Sequence, residues 1–94
     1  MGDLAQFVSE IKNFREIRDN DFDEHFLDHA GTLLEHRGFD EVRLYLWDSH
    51  HKRNLEKQAL AMLSVVGKME EHKLFHENKT LAGYLVRHIH KLVD

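Results

Sequence analysis

Ninety-four residues with no cysteine, no proline and only five glycines exclude disulfide scaffolds and thiolate metal sites, and suit one domain of helices joined by short connections. The formal charge of −4 is split unevenly: residues 1–47 carry five Lys/Arg against eleven Asp/Glu (5 − 11 = −6), and residues 48–94 carry eight against six (8 − 6 = +2). A basic footprint for nucleic acid is missing, and no apolar run approaches the roughly 18 residues that span a bilayer.

The spacing predicts a first helix over Leu4–Arg18. Leu4, Phe7, Val8, Ile11, Phe14 and Ile17 form one stripe, Asp3 with Gln6 has capping-box spacing, and Arg15 and Arg18 occupy the last turn. Asp19-Asn20-Asp21 ends this helix, and Asp21 is the expected N-cap of a second, with Glu24 at its third position. The second helix buries Phe22, Phe26, Ala30, Leu33 and Leu34 and stops at His36-Arg37-Gly38, cations followed by glycine.

A third helix covers Asp40–Ser49, with Val42, Tyr45 and Leu46 in one stripe and Leu44 and Trp47 outside it. A segment apolar on nearly all sides is expected to be covered on more than one face. The polar run DSHHKRN (48–54) is either a break or an exposed turn, with Asn54 a candidate cap. A fourth helix, Leu55–Val66, carries Leu55, Ala59, Met62, Leu63 and Val66 at i, i+4, i+7, i+8 and i+11 and ends at Gly67. The other helices are expected to pack on the stretch 39–66 that holds the third and fourth helices. Met69–Val93 reads as one helix, or as two with a break at Asn78-Lys79-Thr80. The expected architecture is all-α, a compact bundle of four to six amphipathic helices in a single domain, 1–94. The N-terminus has no basic-then-apolar leader pattern, so the expected location is cytoplasmic or otherwise intracellular.

Nine histidines are the compositional oddity. His25/His29 and His72/His76 are spaced i, i+4, so each pair shares a helix face, and neutral imidazole is a good metal ligand. Carboxylates that could complete a di-iron site are Asp23, Glu24, Glu56 and Glu71. The segments DEHF (23–26), EEHKLFHE (70–77) and YLVRHI (84–89), with Asp94 at the end, resemble hemerythrin. The resemblance implies a four-helix bundle and reversible dioxygen binding at a non-haem di-iron centre, with His25, His72, His76 and His88 as iron ligands and Asp94 bridging. It covers about twenty residues and lacks the family's HxxxE on the second helix, since His50 is followed four residues on by Asn54. On a continuous helix, moreover, His72 and His76 lie opposite the stripe of Leu74, Leu81, Leu85, Ile89 and Leu92. They reach the core only if the chain breaks near Asn78.

No Ser/His/Asp order, phosphate-binding glycine loop or HExxH is present. Trp47 and Tyr84 read as core or groove anchors. The segments ALAMLSVV (59–66) and TLAGYLVRHIHKLV (80–93) together are similar to a helix pair of an armadillo or HEAT array, which favours scaffolding. The expected function is therefore a non-catalytic protein-interaction or assembly module without cofactor, acting on a protein partner or by self-association and on neither nucleic acid nor membrane. The alternative is a hemerythrin-like di-iron or other histidine-ligated metal protein.

Protonating all nine histidines moves the charge from −4 to +5 (−4 + 9), and six of the nine lie after residue 47. Contacts between acidic and basic halves should therefore change between about pH 7.5 and about pH 5.5, where imidazoles titrate, and salt should mute the change. Light scattering over that range is the check. A mass that is constant at every pH rules the effect out for self-association.

Overall fold

The computed structural model describes residues 2–52 and 54–93, and all regular structure among them is helical. The elements are α1 (Gly2–Asn13), α2 (Arg15–Arg18), α3 (Glu24–Arg37), α4 (Phe39–His51), α5 (Glu56–Glu71), a 3-10 turn (Lys73–Phe75), α6 (Lys79–Arg87) and α7 (Ile89–Val93). Seven α-helices exceed the expected four to six because two predicted helices are broken. The first breaks at Phe14, whose backbone is extended (φ −74°, ψ 111°), and the last at His88 (φ −114°, ψ 23°). Counted once each, the helices number five (7 − 2). None is long and apolar enough to cross a membrane.

Several boundaries differ from the sequence reading for identifiable reasons. The cap of α3 is Asp23, not Asp21: its Oδ1 accepts from the His25 N–H at 2.7 Å. Helix α1 begins at Gly2, which puts Asp3 inside it; the Asp3 side chain lies outside the described residues. Helix α5 runs through Gly67 to Glu71, carrying Met69 into the core. The cap before α5 is Leu55 rather than Asn54 and makes no side-chain bond. Asn78 caps α6, its Oδ1 accepting from the Leu81 N–H at 3.1 Å, so Met69–Val93 is divided as the second alternative required.

Two helix pairs organise the fold. In the first, α3 crosses α6 with the two backbones nearly touching: a Cβ on Gly31 would lie 2.6 Å from the Gly83 carbonyl oxygen, and one on Gly83 would lie 2.6 Å from that of Gly31. Ala30 and Ala82 flank the crossing and are fully buried. Glu35 accepts a hydrogen bond from Arg87 at 2.9 Å across it. In the second pair, α5 packs antiparallel on α4. Arg43 of α4 joins the two, ion-paired both to Asp40 at 2.7 Å and to Glu70 of α5.

Gly38 connects the pairs. It is at once the residue after α3 and the residue before α4, and its φ of 94° is a left-handed value that glycine adopts without steric cost. Its N–H donates to the carbonyls of Leu33 and Leu34, both at 3.1 Å.

Helices α1 and α2 lie against α5. Gln58 of α5 straps the loop between α2 and α3, donating to the Asp21 carbonyl at 2.5 Å and accepting from the Asp23 N–H at 3.3 Å. The core is a single cluster in which Phe7, Ile11, Leu27, Leu34, Leu46, Met62, Met69, Phe75 and Ile89 are fully or almost fully buried. A Cα radius of gyration of 12.0 Å matches the ~12.4 Å expected of one folded domain of this length.

The expectation that the other helices pack on the stretch 39–66 holds for α3, which packs on α4, and for α1 and α2, which pack on α5, whereas the main neighbour of α6 is α3. The armadillo-like pairing of α5 with α6 is thus not the principal packing. Leu63, expected in the core, is half-buried.

The glycines separate two opposite effects. A Cβ at Gly67, inside α5, would meet nothing within 4 Å, so Gly67→Ala should stabilise the fold by about 0.5–1 kcal/mol through a lower helix-forming entropy. Gly83→Ala, which must push the α3–α6 crossing apart, should destabilise it by about 1–3 kcal/mol. Urea melts of both variants are the check, and equal effects would disprove the backbone contact.

Candidate functional site

The outward side of the α4–α5 hairpin is where the fold leaves large apolar groups uncovered. Helix α4 spends Val42 and Leu46 on the core. Tyr45 packs on Phe26 (centroids 5.8 Å) and His29 (4.6 Å) of α3, and burial pushes its phenol above the ordinary value. The remaining apolar residues, Leu44 and Trp47, are 64% and 55% exposed. The segment is covered on more than one face, as expected: α3 and α5 occupy two sides, and the third is open.

Leu44 and Trp47 line an apolar groove of about 480 Å³ with Leu63 of α5, edged by Asp40 and Arg43. Leu60, one turn before Leu63 on the same helix, is 46% exposed and extends the patch. Two imidazoles stand against the Trp47 indole: His51 edge-on at 4.7 Å and His50 at 5.6 Å, the second 3.8 Å from the Glu56 carboxylate.

The residues implied by the hemerythrin resemblance are dispersed. His72 follows the last residue of α5, where the backbone leaves the helix (φ −91°, ψ 89°) and turns the ring inward. There it packs edge-on against Phe7 at 5.8 Å, and its Nε2 lies 2.9 Å from Oε2 of Glu10 on α1. That hydrogen bond is the main reason the Glu10 carboxyl is held below its ordinary 4.5. His76 lies instead on the surface against Phe39 at 5.7 Å, its Nε2 3.1 Å from the Glu70 carbonyl. The end of α5 at Glu71, seven residues before Asn78, therefore brings one of the two histidines inward and leaves the other outside.

His25 and His88 do come together, but with different neighbours. They line an open groove with His90, Glu24, Asp28, Arg87 and Lys91. Nδ1 of His88 and of His90 are buried without a hydrogen-bond partner among the described residues. Burial pushes His88 below 6.5, and the positive charges of Lys91, His90 and Arg87 add to the effect. Asp94 lies outside the described residues. Among those described, no group of three or more His, Asp or Glu side chains is placed to hold a metal ion. Helix ends and the 3-10 turn place His25 and His88, His72, and His76 in three separate parts of the fold.

Sequence reasoning flagged Leu44 and Trp47 as lying off the inner stripe without drawing the consequence. Arg43, whose two ion pairs set the groove's edge, carried no signal beyond its charge. The pairing of Glu10 with His72, sixty-two residues apart, had none at all. Comparison of the chain with protein-family models, with curated proteins and with solved structures finds no match.

His88 and Glu10 both favour the higher pH, in different windows. The native state resists protonating His88, so the unfolded chain binds more protons as pH falls below 6.5, and stability drops from that point toward the lowered native value. Glu10 contributes stability that is present above 4.5 and is lost as pH falls through its lowered native value. Urea melts at stepped pH should show His88→Gln flattening the slope just below 6.5, and Glu10→Gln flattening it only below 4.5.

Proposed function

We propose that this chain is a non-catalytic helical interaction module that docks a protein partner through the outer face of the α4–α5 hairpin. The observation that supports the reading is the groove shared by Leu44, Trp47 and Leu63 across two helices, with Leu60 exposed one turn from Leu63. Singly exposed apolar residues need no explanation, but a contiguous patch edged by charge is the usual mark of an interface. Tryptophan is also among the residues that most often carry binding energy at such surfaces. An apolar groove between two helices suits a third helix presenting a short apolar stripe.

The face is formed by rigid elements, since Arg43 fixes α4 to α5 and the inner sides of both helices are committed to the core. Docking would therefore require little reorganisation of the module.

Photo-crosslinking in the native host tests this. A photoreactive residue replacing Leu44 should give discrete protein adducts, identifiable by mass spectrometry. The same replacement at Thr32, exposed on α3, should give none of them. Identical adduct patterns at the two positions, or none at either, would overturn the reading.

A further inference from the structure

The occupant of this face can be argued from the face itself. Of the exposed residues of α4, which also include Glu41 and Asp48, the four at Asp40, Leu44, Trp47 and His51 are spaced i, i+4, i+7 and i+11, and at 100° per residue they form a stripe spanning only about 60° of the helix surface. Their order is acid, apolar, apolar, base. This sequence is its own complement when reversed: 40 + 51 and 44 + 47 have the same sum, so a two-fold axis beside the midpoint of residues 45 and 46 superposes each pair on the other.

Resting on the interaction-module reading, we propose that the face binds a second copy of this chain, with α4 antiparallel to α4 across a two-fold axis. Leu44 then packs on Trp47 of the second copy, and Asp40 meets His51 of the second copy. Symmetry makes each contact twice. The Asp40 side chain is 97% exposed although Arg43 donates to it, so the carboxylate keeps acceptor capacity on its outer side.

Charge favours this occupant. Residues 39–71, from the start of α4 to the end of α5, carry five Lys/Arg and six Asp/Glu (5 − 6 = −1). Two such surfaces approach with little net repulsion, and neither a strongly basic nor a strongly acidic partner gains much from them. The apolar residues supply the rest of the match. Leu60 and Leu63 lie beside the α4 stripe, and Gly67, with open space around its Cα, leaves the adjacent turn of α5 low enough for a neighbouring helix to approach.

The α4 stripe is about 20 Å long, at the small end for a specific interface. The dimer should therefore be concentration-dependent.

Sedimentation equilibrium of the full chain tests the stoichiometry. The mass should rise with concentration from 11.2 kDa toward twice that value. Leu44→Asp should remain monomeric at every concentration while keeping its helical circular dichroism and melting temperature, because Leu44 makes no core contact. The absence of cysteine allows the orientation to be tested separately. Oxidising a mixture of Asp40→Cys and His51→Cys chains should give the mixed disulfide, and Asp40→Cys alone should give none, its two copies lying about 16 Å apart along the axis.

A mixture that crosslinks only 40 to 40 overturns the antiparallel arrangement. A chain that stays at 11.2 kDa throughout overturns the second copy as occupant. Adducts of position 44 with a different protein would then leave the module reading standing, whereas no adducts at all would remove both.

Discussion

The α3–α6 crossing brings together two backbones rather than two side chains. Gly31 and Gly83 let α3 and α6 meet where any Cβ would collide with a carbonyl oxygen 2.6 Å away, and the rest of the architecture is hung from that crossing. It draws the C-terminal helices onto α3, although α5 and α6 are closer in sequence. Gly38 then turns the chain without a linker from α3 into α4, so the second pair starts from a fixed direction. With α6 drawn to α3, the outer side of the α4–α5 hairpin has no helix left to cover it. An exposed apolar face there is a consequence of where two glycines sit.

Ionic contacts hold the periphery of this frame rather than its centre. Arg43 reaches Asp40 and Glu70, Arg87 reaches Glu35, and His72 reaches Glu10, each joining or bordering two elements. Their free energies are modest where water has access, but each restricts a sliding motion that hydrophobic burial alone would permit. The histidines are divided among tasks that composition could not separate. His72 seals the junction of α1 with the end of α5, His29 pads Tyr45, and His88 and His90 sit at the break between α6 and α7 with buried ring nitrogens.

Local chemistry made much of the fold legible. The stop at Gly38 was readable because cations in a last turn followed by glycine have few other uses. The core stripe Phe7, Ile11 and Ile17 was readable from period alone. What failed were decisions made by distant partners. Gly67 reads as a stop, yet the burial of Met69 beyond it outweighs the roughly 1 kcal/mol that one glycine costs a helix. Asp21 and Asp23 are equally good caps by type, and Gln58, thirty-five residues away from Asp23, helps settle which is used. Phe14 belongs to a helical stripe and still marks a break.

The candidate site was legible only as an anomaly. Apolar residues all round α4 signal burial when helices are abundant, and nothing in the period reveals that one neighbour is missing. The same limit applies to the histidines. Spacing places two imidazoles on one helix face only while the helix continues, and α5 ends just before His72.

Trp47 is the only tryptophan, and it stands outside the core with two imidazoles against its ring. Its emission is therefore expected toward the long-wavelength end in the folded chain, with His50 and His51 close enough to quench it by contact. On melting, the wavelength should move little while the intensity follows the loss of those two contacts. What the indole reports is the integrity of α4 and the wetness of a single patch of surface.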